Sequence, residues 1–293
     1  LSALRAERKD AGWNSGMMKR ALVRGARPMA GYGPLDAGAG MVDVAGTHAS
    51  FVKEVDNGRN VDVLGLEVTV PVPTLAGGKG SAAYWRAGGW APGEERPATV
   101  SVRPRFVASA SGDAKERFYR TLTLKADAGW VRLSRSSLAL RGDRDTSFDL
   151  WVDSAAVRRP GVHVATVTGA DSSGLEFTFP VPVVVPEPAV PVRGMPSVVL
   201  PAVRLGAGDL LRVPLAPPPG TGTMAVSART TKDRKASAYV YLHDPQGRRL
   251  PVSSGNQVSS ELGTEVSATL STRDLLEPGT IELVLYCVPT ARS

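Results

Sequence analysis

Apolar and polar positions change period once along this chain, near Asn60. Before that point the spacing is helical. Met17 to Val23 reads as a compact apolar-basic helix, with Asn14 and Ser15 as caps and Gly25 placed where a C-terminal stop belongs. The stretch Gly33–Val44, GPLDAGAGMVDV, combines Gly33, Gly38 and Gly40 with the apolar run Met41, Val42, Val44, and reads as a tight loop that sets a further helix. Leu1, Ala3 and Leu4 also fall on helical spacing, which predicts the end of a helix over residues 1–10.

From Asn60 the period is two. Val61, Val63 and Leu64, then Leu66, Val68 and Val70 alternate with polar residues until Pro71 and Pro73, and Ala82–Arg86 reads as a short strand. The same alternation returns over 97–107, 118–125, 130–133, 138–140, 148–152, 162–168 and 175–185. Short strands at this spacing, with turn residues between them, predict an antiparallel sandwich. Seven prolines between Pro180 and Pro201 then read as a stiff connection, with a domain boundary near Glu187–Met195. A second β set is expected over 198–205, 210–215, 224–228, 238–242, 266–270 and 281–288. The fold class is therefore mainly β, with two antiparallel β-sandwich domains preceded by a helical segment, and the boundaries fall at 1–57, 58–190 and 191–293.

Composition sharpens this picture only in places. With 293 residues the chain can hold several cores, and 31 Gly and 23 Pro require frequent turns. The net charge is +7, but the cations are spread along the chain instead of forming one basic face, so no nucleic-acid partner is expected. The single cysteine, Cys287, cannot form an internal disulfide, and its apolar neighbours predict a buried thiol. No apolar run reaches about 18 residues, so no membrane span is expected. The compartment stays open between secreted and cytoplasmic for a soluble chain.

The order Lys19–Ala26, variable loop, Gly38–Val44 and then a helix resembles the last part of the subtilisin-like serine peptidase domain. Ala83, Tyr84, Trp85 and Arg86, followed by two long β regions, narrow the likeness to the tripeptidyl peptidase II branch. The first β set resembles fibronectin III or immunoglobulin-like modules. The second, with Tyr239–Gly247 and the turn Glu277, Pro278, Gly279, resembles a galactose-binding jelly roll.

This resemblance implies a parent enzyme that hydrolyses peptide bonds through an Asp/His/Ser triad. Residues 1–57 would be the remnant of its α/β catalytic domain, and the β domains would support that domain or assembly into a homo-oligomer. The family's nucleophile lies in a Gly-Thr-Ser motif, and no such motif occurs in this sequence. The chemistry needs that hydroxyl beside an oriented imidazole and an oxyanion hole. The expectation is a chain that lies after the triad, with no catalytic residue, no metal ligand and no cofactor, inactive by itself. Its expected partner is the upstream catalytic domain, and it meets peptide substrates through that domain. Met17, Met18, Leu22 and Val23 would then expose apolar surface when the chain is alone. The alternative is a non-enzymatic β-sandwich module that binds carbohydrate or protein through Trp85, Trp90 or the turn at Asp244.

Other candidate chemistry reduces to ordinary roles. His48, His163 and His243 have neither metal-ligand spacing nor a Cys pair. Asp43, His48 and Ser50 are close in sequence on a helix and its entry, which is not a triad arrangement. Arg141-Gly142-Asp143 falls where a turn is expected, and Asp113, Asp127 and Asp145 belong to no run of closely spaced oxygen donors. Tyr84, Trp85 and Trp90 form an aromatic cluster, read as core or domain interface ahead of ligand platform. Arg229, Lys232, Arg234 and Lys235 read as a solvated hairpin loop.

Overall fold

A computed structural model describes residues 12–72, 78–83, 93, 95–218, 220–230, 235–252, 256–261, 267–273 and 279–288. The expected helix end at 1–10 and the cluster Tyr84, Trp85 and Trp90 lie outside those residues. The chain is mainly β, built of antiparallel sheets that follow a helical layer. The described residues fall into two compact units. The first runs to Ala156 and resumes over Val164–Pro182; the second takes Val157–His163 and the residues from Val183 onward.

Among the described residues, the first unit opens with the helices α1 (Ser15–Gly25), α2 (Pro34–Ala37) and α3 (Val44–Asn57). Asn14 caps α1 by accepting a hydrogen bond from the Met17 amide at 3.0 Å, and Asp43 caps α3 by accepting from Gly46 at 3.0 Å. Their apolar stripes meet in a small core of Met17, Ala21, Phe51 and Val55, with Trp13 set edge-on to Phe51. Gly25 ends α1 without a left-handed residue, since Ala26 follows at φ −65°. Its lack of a side chain serves a different purpose: a Cβ there would collide with the backbone of Gly46 and Thr47 in α3. The expected stop is also the point of closest approach between the two helices.

The first sandwich has two sheets. One takes β1 (Val63–Pro71), β2 (Lys79–Gly80), β3 (Ala98–Phe106), β5 (Val131–Leu133) and β7 (Thr146–Val152), in the order β2-β1-β3-β7-β5. The other takes β4 (Tyr119–Ala126), β6 (Ser137–Arg141), β8 (Gly161–Ala170) and β9 (Glu176–Val185), in the order β6-β4-β8-β9. Alternate residues of β4, β6 and β7 are buried, as the period of two requires. Across the sheets, Phe148 of β7 meets Phe177 and Phe179 of β9, with ring centroids 6.5 and 6.4 Å apart. Pro180 and Pro182 sit inside β9, which an edge strand tolerates because its outer side needs no donor. A short helix, α4 (Gly112–Glu116), joins β3 to β4 and was not predicted.

The second unit contains a sheet of β12 (Leu210–Leu215), β17 (Ile281–Cys287), β14 (Ala236–His243) and β15 (Gln257–Ser260), in that order, and the pair β13 (Thr223–Arg229) with β16 (Ser267–Arg273). Val213, Leu215, Val240, Leu242, Val258, Ile281 and Leu283 form its core, with Met224, Val226 and Ala228 packed against them. Two expectations fail here. No strand forms over 198–205, and the stretch read as a stiff linker holds a hairpin, β10 (Val190–Val192) with β11 (Met195–Ser197). Arg193 at φ +51° and Gly194 at φ +80° place both turn residues in the left-handed region that suits a tight hairpin. Proline counting missed the turn.

Candidate docking site on the helical layer

The helical layer combines a closed core with exposed apolar side chains. Met17 and Ala21 are fully buried, whereas Leu22, Val23, Met29, Tyr32, Leu35, Met41, Val42 and Val44 are all exposed, Val44 at 79% and Tyr32 at 62%. Of the expected exposed residues, Leu22 and Val23 are open, Met18 is half-buried, and Met17 is core. The loop that presents them is ordered by its own backbone. Arg27 and Met41 exchange both hydrogen bonds at 2.8 Å, and Gly40 at φ +108° lies so close to the Arg27 carbonyl that a Cβ would not fit. Arg27 also pairs with Asp43 at 3.1 Å. The Asp43 carboxyl lies below its ordinary value, chiefly because it accepts from the Gly46 amide, with Arg27 nearby adding to that effect against a cost of burial.

The layer also holds a polar network that sequence reading missed. Arg20 is on the buried stripe of α1 and donates from Nε and Nη2 to Oε1 of Glu54, at 2.8 and 2.6 Å. The Glu54 side chain is wholly buried. A third Arg20 donor, Nη1, reaches the Leu64 carbonyl at 2.9 Å. Leu64 is where the register of β1 against β3 slips by one residue, so this carbonyl is left over from the ladder and the guanidinium takes it up. Gly16 permits the approach, since a Cβ there would run into that same carbonyl.

Asn60, fully buried, donates to Glu54 Oε1 and to the Ser173 carbonyl, each at 3.1 Å, and accepts from Ser173 Oγ at 3.2 Å. Asp171 in turn accepts from the amides of Ser173 and Leu175. Arg24 closes the outer end, donating to the Gly174 carbonyl at 2.7 Å and pairing with Glu176 at 2.9 Å. One signal was available in the sequence. Arg20 and Glu54 each occupy an apolar stripe, next to Met17 and Ala21 and next to Phe51 and Val55. A charge at a core position calls for a buried partner.

The other singled-out residues take ordinary roles. His48 is on α3, His243 is on β14, and His163 donates from Nε2 to the Arg159 carbonyl at 2.7 Å. Among the described residues, no three His, Cys, Asp or Glu side chains group so as to hold a metal ion. Arg141 lies over the Tyr119 ring, Gly142 turns at φ +59° and donates to Phe118, and Asp143 is 3.8 Å from Arg103, so the tripeptide is a strand-end turn. Asp113 pairs with Arg117, and Asp127 accepts from the Thr166 amide. Lys235 pairs with Glu261 at 2.9 Å, while Lys232 and Arg234 lie outside the described residues. Cys287 is half-buried at the end of β17, less enclosed than expected.

The turn at Asp244 forms as expected. Gly247 donates to the Asp244 carbonyl at 2.9 Å, and Arg248 holds the carboxylate through both its amide and its Nε. Burial is the largest influence on that carboxyl and raises its pKa. The Arg248 amide, its guanidinium and the Gln246 amide together outweigh burial and leave the carboxyl below its ordinary value.

These features define a β-rich chain that follows a helical layer with exposed apolar side chains. No protein-family model matches it, and no curated protein matches its sequence. Among solved structures it is similar to the crystal structure of tripeptidyl peptidase 2 (TPP II), at a TM-score of 0.69 and 20% identity, over 96% of this chain and 25% of that one. The chain thus has a fold like part of tripeptidyl peptidase 2 and spans a quarter of that protein's length. The secreted serine protease VesC from Vibrio cholerae (TM-score 0.33, 10% identity, 72% of this chain and 46% of that one) and the periplasmic chaperone SfaE (0.28, 9%, 68% and 85%) are too distant to carry an argument. Among the described residues, no helix is long and apolar enough to cross a membrane.

Proposed function

We propose that this chain is the C-terminal, non-catalytic part of a subtilisin-like serine peptidase of the tripeptidyl peptidase II type, and that its helical layer docks against the catalytic domain. The observation that carries the reading is the exposed apolar stretch Leu22–Val44, where eight large apolar side chains stand open on a layer whose core is closed by Met17, Ala21, Phe51 and Val55. Burying such side chains is worth about 1.5–3 kcal/mol each, so an apolar partner gains heavily from covering them. Two further facts support it. The fold likeness covers nearly the whole chain, and the motif Gly38–Val44 lies within the exposed stretch.

The hydrolytic groups belong to the partner domain in this reading. This chain supplies the surface that completes that domain's packing, and its sandwiches support it. The test compares this chain with the product of the full reading frame on a fluorogenic tripeptide substrate, with a serine-directed inhibitor as control. The expected outcome is inhibitor-sensitive hydrolysis by the longer product only, reduced when Met41→Glu and Val44→Glu are introduced together. Hydrolysis by this chain alone, or full activity in the doubly substituted longer product, would refute the proposal.

A further inference from the structure

We infer that the seam between the helical layer and the sandwich strands of the first unit is a clamp and not a hinge, so that a partner seated on the Leu22–Val44 stretch is held by a body that includes those strands. Only the identity of that partner rests on the peptidase reading; the clamp itself does not.

A hinge needs a few residues free to absorb a change in φ and ψ. The connection from α3 to β1 begins permissively, with Gly58 exposed at φ +66°, but two residues later Asn60 is fully buried. Its side chain holds Glu54 of α3 on one side and Ser173 of the β8–β9 turn on the other. Its carbonyl accepts from Asn14 Nδ2 at 3.0 Å, and that same amide nitrogen lies 2.8 and 3.2 Å from the carbonyls of Val61 and Val63. The residue that caps α1 therefore also grips the chain as it enters the sandwich.

Opening the seam would break these bonds together. It would also strip Arg20 from the Leu64 carbonyl and bring the Glu54 carboxylate out of its paired, buried site. Backbone contact adds to this, because Gly16 lies directly against Leu64. Four elements, α1, the consecutive α3 and start of β1, and the distant β8–β9 turn, thus share one set of buried bonds. Such a set opens as a unit or not at all.

Hydrogen exchange on the whole chain, read by mass spectrometry or NMR, tests this for wild type, Asn60→Ala and Ser173→Ala. In the wild type, interior amides of α1 and α3 should exchange through the same opening as those of Leu122 and Leu124 in β4. Asn60→Ala should lower protection at both places together, by about ten- to a hundredfold for a lost buried hydrogen-bond centre. Ser173→Ala should repeat the pattern with a smaller loss, and it decides the matter if Asn60→Ala does not fold. Loss of protection in the helices alone, with Leu122 and Leu124 unchanged, would overturn the clamp. Because no peptidase partner takes part, failure here leaves the docking proposal standing, and failure of the docking assay leaves the clamp standing.

Discussion

The two units reach a folded core by different means. In the first, large side chains from both sheets and from the helical layer are fully buried, with Phe148, Phe177 and Phe179 in contact, and the layer is tied on by the buried charges of Arg20 and Glu54. In the second, the core is built from medium-sized aliphatics such as Val213, Val240 and Leu242, and the charge pairs Lys235–Glu261, Arg248–Asp244 and Arg212–Glu282 each have at least one exposed partner. Aliphatic packing tolerates small rearrangements. A buried ion pair does not, because each partner is costly once the other is gone.

That contrast predicts a graded series. The largest effect belongs to Arg20→Ala, which leaves the Glu54 carboxylate buried without its guanidinium and should cost about 3–5 kcal/mol. Urea unfolding checks it, and exchange data should confine the loss to the first unit. A cost near zero would mean that the network is no tighter than a surface pair. Next comes Leu242→Ala, at the centre of the second core and wholly buried. Its expected cost is about 2–5 kcal/mol, read as lost protection in β14 and β17 with the first unit unaffected. Equal loss in both units would erase the distinction between them.

Asn14→Ala should cost more than the ~1 kcal/mol of an ordinary helix cap, because the same side chain also reaches Asn60, Val61 and Val63. Asn14→Asp keeps the cap acceptor and loses the donor, so it separates the two roles in the same unfolding assay. The smallest effect is acidic. The Asp244 carboxyl lies below its ordinary value of 3.8 in the folded chain. Its stabilisation is therefore full above that value and is lost as pH falls through the lower, folded one. Asp244→Asn should weaken the second unit at pH 7 and flatten its stability loss below about pH 5, which thermal melts across pH would show.

Much of the fold was legible in local pattern. The strands from 97 to 185 follow the alternation of Val100 and Val102, of Leu122 and Leu124, and of Phe148, Leu150 and Val152, because a half-buried strand must present one face to its core. The helix at Val44–Asn57 was marked by the glycine-rich turn upstream and the apolar run that leads into it. What escaped were features with weak or conflicting local signals. The four-residue β15 is polar at three of its four positions, and the five-residue helix α4 is too short to show a helical period. The hairpin β10–β11 was concealed by the same prolines that marked its neighbourhood.

The site divides in the same way. The glycines and apolar residues of Gly33–Val44 were visible as an unusual stretch, but which of them face outward was settled by the helix pair. Met17 turned inward to Phe51 and Val55, while Leu22 and Val23 were left open.

By itself, then, the sequence determined a chain that is mainly β, with helices before strands and turns where glycine and proline demand them. These are consequences of side-chain period and backbone sterics, which act over a few residues. The tertiary structure alone decided that Arg20 meets Glu54, that Asn60 meets Ser173, and that the odd carbonyl of Leu64 has a guanidinium to receive. Each of those unions joins residues dozens of positions apart, and the penalty for a buried charge or an unpaired carbonyl exists only once the chain has closed around it.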